Sequence, residues 1–154
     1  MIHIYTDGAC EPNPGYGGWA FVVYEKGLEI TNRNGGSENS TNNIMEMTAV
    51  LEALRYAKDA GLSAAEVIIH TDSQYVCKGC TIWRHSWKKK GWKRGPEKPL
   101  KNAELWQAIA EAHDAFPCKI VWVRGHSGVP GNERADQLAD KGRRYFLPAH
   151  MVAA

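Results

Sequence analysis

The chain has no apolar run approaching the ~20 residues that a membrane-spanning helix requires. Its N-terminus lacks the basic region, apolar core and small-residue cleavage site of a secretory leader. A cytoplasmic protein without membrane contact is the expectation. Cysteine is sparse, and Cys10, Cys77, Cys80 and Cys118 do not read as a disulfide framework. Cys77 and Cys80 form a C-x-x-C, but no second pair stands at zinc spacing, so metal or redox chemistry is not expected there. The glycine-rich stretch 8–18 lacks the G-K-[ST] ending of a Walker A loop. Internal repeats and linker-like stretches are absent too, and 154 residues suffice for one domain with a real core.

Net charge is also small, at +2, yet it is unevenly placed. Between Thr81 and Lys101 stand eight Lys or Arg against Glu97 alone, which gives that segment +7 and leaves −5 on the remainder. A basic patch on an acidic body is the electrostatic footprint of a polyanion site. Trp83, Trp87 and Trp92 are interleaved with Lys88, Lys89, Lys90, Lys93 and Arg94. That pattern fits a solvated surface with tryptophans packed beneath it. It fits better a nucleic-acid contact, because like charges self-repel until a polyanion relieves them and aromatic faces pack on sugars or bases.

The elements follow from periodicity. Ile2 to Gly8 reads as a strand and Glu11 to Gly18 as a loop. Two alternating segments around Trp19–Tyr24 and Leu28–Thr31, linked through Glu25-Lys26-Gly27, predict a hairpin with one polar face. Residues 34–43 are turn-rich. Met47, Val50, Leu51, Leu54 and Ala57 predict a helix from Ile44 to about Ala60, ended by Gly61. The apolar run Val67–Thr71 reads as a central strand, followed by a short helix from Asp72 or Ser73. Asn102 reads as the N-cap of a helix carrying Leu105, Trp106, Ile109 and His113. Cys118–Arg124 is another strand, Glu133 to about Tyr145 a last helix, and 146–154 a flexible tail. This order predicts an α/β domain with a mixed sheet and helices on both faces.

Four acidic residues fall where such a sheet collects ligands, beyond the carboxyl ends of its strands. Asp7 and Asp72 end strands that can be neighbours, and Glu46 and Asp136 stand in first helical turns. Singly, each has an ordinary reading: Asp7-Gly8 as a turn, Asp72 as an N-cap, Glu46 closing a capping box with Asn43, Asp136 as a solvated carboxylate. Together they would repel one another unless cations bound, and oxygen-only ligands suit magnesium or manganese rather than zinc. Two such ions can clamp the attacking and leaving oxygens of a phosphodiester displacement. His126, in the Gly125-His126-Ser127-Gly128 loop, is an accessible candidate for proton transfer or product release.

At these residues the chain resembles type 1 ribonuclease H. The resemblance rests on Tyr5–Cys10 with Asn13-Pro14-Gly15, Thr41–Met47, Thr71–Val76, the Trp83–Trp92 segment, and Gly125–Gly128 leading to Asn132–Asp136. It covers about residues 1–145, which would be the catalytic domain, with the basic protrusion at about 81–101. With no separate N-terminal hybrid-binding module, it is similar to the compact bacterial form. The resemblance implies a ribonuclease H-like fold with a five-stranded mixed sheet and helices on both faces. The implied activity is a monomeric endonuclease cutting the RNA strand of RNA–DNA hybrids to 5′-phosphate and 3′-hydroxyl ends. It implies two Mg2+ ions (Mn2+ as an alternative) on Asp7, Glu46, Asp72 and Asp136, with His126 in proton transfer or product release and Glu133 aiding metal exchange. Asn13, Asn43 and Gln74 would read the minor groove through the RNA 2′-hydroxyls. Thr41 and Asn102 would form a phosphate pocket for the DNA strand, gripped further by Trp83, Trp87, Lys88, Lys89 and Lys90. The alternatives are another nuclease or recombinase of the same fold, or an inactive hybrid-binding module. The first lacks the glycine–histidine loop and tryptophan-rich segment as a set, and the second is expected to have lost a carboxylate.

Overall fold

The computed structural model describes residues 1–95 and 98–152. Pro96 and Glu97 of the basic segment, and Ala153 and Ala154 of the expected tail, lie outside the described residues. In chain order the elements are strands β1 (Ile2–Cys10), β2 (Gly15–Glu25) and β3 (Leu28–Ser40), helix α1 (Asn42–Asp59), strand β4 (Val67–Thr71) and helix α2 (Gln74–Lys78). A π-helical turn over Gly79–Trp83 leads into α3 (Arg84–Lys89), then a small ribbon of β5 (Lys93–Gly95) and β6 (Lys98–Pro99). Helix α4 (Ala103–Ala115), strand β7 (Lys119–Trp122) and helices α5 (Pro130–Arg144) and α6 (Ala149–Val152) complete it. The main sheet has five strands in the order β3-β2-β1-β4-β7. Its first three strands are antiparallel, and β1–β4 and β4–β7 are parallel. This is the expected mixed sheet.

Alternation along the strands sends side chains to two cores. Ile4, Phe21, Val23 and Ile69 pack with Met47 and Leu54 of α1 and Trp106 and Ile109 of α4. On the opposite face Ala20 and Val22 meet Ala135, Leu138 and Ala139 of α5. Helices therefore cover both faces. The expected polar face of the hairpin does not hold for β2, because α5 lies on it. The hairpin turn is two residues long, with Lys26 and Gly27 both at positive φ (53° and 77°), the geometry whose twist matches paired strands.

The glycine-rich stretches are strand rather than turn. Gly18 pairs with Gly36 and Trp19 with Gly35, so β2 begins at Gly15 and β3 runs on to Ser40. The expected loop at 11–18 shrinks to Glu11–Pro14, and the expected turns at 34–40 are absent. Helix docking is the reason. A Cβ on Gly18 would stand 1.9 Å from the Ala139 carbonyl oxygen, and one on Gly36 would stand 2.2 Å from that of Gly142. The backbone of α5 thus rests directly on the sheet.

Two helix starts differ from expectation, and a third falls on the second of the two residues expected. Thr41, not Asn43, caps α1, its Oγ1 accepting from the Ile44 N–H at 3.1 Å. Ser73, not Asp72, caps α2, accepting from the Val76 N–H at 3.1 Å. Helix α5 begins at Pro130, a residue preorganised for the first helical position, rather than at Glu133. Strand β7 stops at Trp122, short of Arg124, and α6 lies within the expected tail. A Gly18→Ala variant will lose about 1–3 kcal/mol of stability, because its Cβ meets helix backbone that cannot yield without undocking. Chemical denaturation checks this.

Candidate active site

Register sets the two central carboxylates side by side. Thr6 and Thr71 are the last paired positions of the parallel β1–β4 ladder, so Asp7 and Asp72 leave it together. Asp7 does not end its strand: β1 continues to Cys10 against β2, and Asp7 is buried, with 5% of its surface exposed. Helix α1 brings Glu46 over this point. A Cβ on Gly8 would lie 2.2 Å from the carbonyl carbon of Met45 and 2.3 Å from the amide nitrogen of Glu46, so the glycine makes room for the helix's first turns.

Asp7, Glu46 and Asp72 each place a carboxylate oxygen within 4.8 Å of the others. Asp136 stands in the second turn of α5, since that helix starts earlier than expected, and is not one of this tight triple. It does line the same cleft of about 410 Å³, along with Asn43 and His126. The two ordinary readings that capping would have supplied fail, since neither Glu46 nor Asp72 caps a helix. Burial, and next the charge of Asp72, push the Asp7 carboxyl up to about 8. Glu46 is pushed well above the ordinary carboxylate range by burial and then by the charge of Asp7. Its Oε1 is buried with no hydrogen-bond partner.

A divalent cation fits this donor set. Crowded carboxylates and an orphaned oxygen are the arrangement a hard cation stabilises, and the oxygen-only ligands favour Mg2+-class ions over zinc. At Cys77 and Cys80 burial pushes both thiols up, Cys80 to about 12.

Residues without an assigned role in the sequence hold the cluster. Asn132 Nδ2 donates to Asp72 Oδ2 at 3.3 Å, and Trp122 Nε1 donates to the Asp72 carbonyl at 3.1 Å. Gly125 lies so near that its Cβ would stand 2.9 Å from Asp72 Oδ2. Asn132 is buried, as a polar residue in a packed polar network is when its hydrogen bond is satisfied. Its place inside Asn132–Asp136 was the one available signal; nothing in the pattern of the chain pointed to Trp122. His126 is exposed on the rim with φ 54°, a left-handed conformation uncommon for non-glycine residues. Glu133 is exposed in the first turn of α5.

The remaining candidates surround the cleft at varying depth. Asn13 Oδ1 accepts from the Asn42 N–H at 3.2 Å, tying the Glu11–Pro14 loop to the start of α1. Asn43 and Gln74 are exposed at the first turns of α1 and α2. Asn102 occupies the cap position of α4 in a left-handed conformation (φ 60°) but makes no capping bond. Its Nδ2 is buried without a partner, beside a groove of about 650 Å³ that it shares with Ile44, three residues beyond Thr41. Trp87 packs 5.2 Å from the buried ring of Trp106 and 5.7 Å from Trp83, which remains 37% exposed. Trp87 and Trp92 therefore pack beneath this segment, as the surface reading held, whereas Trp83, Lys88, Lys89 and Lys90 stay exposed. Lys88 lies 3.8 Å from Asp114, which Arg84 also engages at 2.7 Å.

Residues 1–144 match the family described as RNase H. The chain belongs to the ribonuclease H family. It is 46% identical over 153 residues to the ribonuclease H of Rhizobium meliloti (strain 1021), covering 99% of this chain and 97% of that one. It superimposes on the solved LC9-RNase H1, described as a type 1 RNase H with the type 2 active-site motif, with a TM-score of 0.81. The identity there is 32%, covering 92% of this chain and 71% of the other. The likeness to LC11-RNase H1, solved in complex with an RNA/DNA hybrid, has a TM-score of 0.67 at 25% identity and covers 92% and 95% of the two chains. Family membership makes this chain a divalent-metal-dependent hydrolase of the RNA strand of RNA–DNA hybrids.

Gly125→Ala tests the support of Asp72. Its Cβ displaces a side-chain oxygen rather than backbone, so the melting temperature will hold. Hydrolysis will fall by about tenfold or more, since misplacement of a reacting group by ~1 Å costs up to about a hundredfold. Paired melting and rate measurements separate the two effects.

Proposed function

We propose that residues 1–145 form a ribonuclease H catalytic domain in which Asp7, Glu46, Asp72 and Asp136 hold two Mg2+ ions, Mn2+ serving as a substitute. The observation that carries this reading is the approach of three carboxylates within 4.8 Å beside the unpartnered Oε1 of Glu46. When bound, such ions activate a water and neutralise charge on the attacking and leaving oxygens of the phosphodiester. The chain's own residues do the rest. Asp7 and Asp72 are set side by side by strand register, Asn132 aims one oxygen of Asp72, and α1 packs directly on the backbone at Gly8. His126 stands exposed at the rim, where an imidazole can pass a proton between the site and solvent, to the leaving 3′-oxygen or from the attacking water. The products are a 5′-phosphate and a 3′-hydroxyl. Glu133, close by on α5, assists exchange of the ions.

The substrate is an RNA–DNA hybrid bound by a cytoplasmic monomer. Asn13, Asn43 and Gln74 meet the minor groove and distinguish the RNA strand by its 2′-hydroxyls. Thr41 and Asn102 receive a phosphate of the DNA strand, which gives the buried Nδ2 of Asn102 the acceptor it lacks. Trp83, Trp87, Lys88, Lys89 and Lys90 form the basic protrusion along the DNA strand. The capture of LC11-RNase H1 on a hybrid supports this choice of partner.

A hybrid labelled on each strand and incubated with Mg2+ or with EDTA tests the proposal. Internal cuts in the RNA strand alone, with 3′-hydroxyl ends and only with Mg2+, are expected. Tight binding without cutting would indicate an inert module, and cuts in the DNA strand would indicate a recombinase-type activity. Neutralising Lys88, Lys89 and Lys90 together will weaken hybrid binding and shallow its salt dependence, with Lys88 contributing least because Asp114 partly neutralises it. Affinity titrations at several salt concentrations read both effects, and an unchanged slope would return these lysines to a solvated surface.

A further inference from the structure

On the face of the sheet that carries Ala20 and Val22, two histidines from adjacent parallel strands meet. His3 Nδ1 and His70 Nε2 are 2.9 Å apart, with ring centroids separated by 5.1 Å. Both side chains are half-buried. His70 is further fixed by stacking on Tyr5, 4.3 Å away at an interplanar angle of 8°. At this separation one nitrogen must offer a lone pair to the other, so at least one ring is neutral and in the form that ligates a metal.

We propose that His3 and His70 form a chelating site for a borderline divalent transition-metal ion of the Zn2+, Ni2+ or Cu2+ class, separate from the carboxylate cluster. Metal–imidazole bonds of about 2.0–2.1 Å place two nitrogens on one ion about 3 Å apart when they subtend an angle near 90°. The rings already stand at that spacing and need only turn their lone pairs toward a common point, with solvent completing the coordination. The strands provide a rigid frame, because β1 and β4 are central and paired on both sides. Donor chemistry separates the two sites: imidazole nitrogen selects zinc, nickel and copper, whereas carboxylate oxygen selects magnesium and manganese. An ion here ties together the two strands whose shared ladder stops just before Asp7 and Asp72. It binds the folded chain, in which the two rings meet, so it raises thermal stability by mass action.

The full chain, first saturated with Mg2+ to occupy the carboxylates, is titrated with Cu2+ and followed by calorimetry, thermal melting and electron paramagnetic resonance. The parent will bind one Cu2+ with a two-nitrogen signature and melt higher. His3→Gln and His70→Asn will each lose that event and the gain in melting temperature, whereas Asp7→Asn will keep both. Retention of the two-nitrogen site in His3→Gln, or its loss in Asp7→Asn, would overturn the proposal. Should His70→Asn fail to fold, His70→Gln takes its place. Because Asp7→Asn is one arm of the experiment, failure here leaves the reading of the carboxylate cluster untouched.

Discussion

Three carboxylates crowded into a space where they repel one another are the constraint on which the rest of this structure depends. Asp7 and Glu46 are held in surroundings that resist their ionisation, burial being the larger cause and the neighbouring charge the second. Left alone, such an arrangement opposes folding. The fold tolerates it by making the backbone around it unable to relax. The β1–β4 register aligns Asp7 with Asp72, and Gly8 lets α1 press Glu46 against them. Asn132 and the indole of Trp122 then hold Asp72 by its carboxylate and its carbonyl. Preorganisation of this kind lowers the rearrangement that binding a divalent ion would require.

Glycine and tryptophan serve this end by opposite means. On one face, glycines in β2, β3 and α5 remove side-chain bulk, so that α5 docks backbone to backbone and carries Asn132 and Asp136 to the cleft. On the other, Trp87, Trp106 and Tyr75 form a cluster of tilted and edge-on rings, completed by the bond from Trp106 Nε1 to the Tyr75 hydroxyl at 3.0 Å. That cluster packs under the base of the basic helix. The lysines above it are presented on a rigid support instead of a loose loop, so less side-chain and backbone freedom is lost when a polyanion binds.

Much of this was legible in the chain before folding. The hairpin, the helical repeat of Met47, Val50, Leu51 and Leu54, and the apolar run Val67–Thr71 carry their structure locally, and each forms the expected type of element, β2 and β3 longer than expected and β2 buried on both faces. Of the four carboxylates read together from the chain, Asp7, Glu46 and Asp72 stand within 4.8 Å of one another, and Asp136 lines the same cleft. What stayed hidden depends on partners distant in sequence. The glycines at 35 and 36 read as turn formers because their meaning lies in contact with α5, a hundred residues on. Asn132 reaches Asp72 across 60 positions, and no local pattern marks a residue for such a bond. The start of α5 at Pro130 was missed because the loop glycines before it masked the helical period.

The most direct test of the central claim is the thermal stability of Asp7→Asn against the parent, in EDTA and in Mg2+, from pH 5 to pH 8. A carboxyl whose folded value is about 8 keeps its proton at neutral pH, while the unfolded chain, near 3.8, has lost it. The folded state then binds more protons, so stability falls as pH rises through this window. In EDTA the parent will therefore lose stability toward pH 8, Asp7→Asn will lose less and melt higher, and Mg2+ will raise the parent far more than the variant. A variant that melts no higher at pH 8, alongside a parent indifferent to Mg2+, would contradict the account.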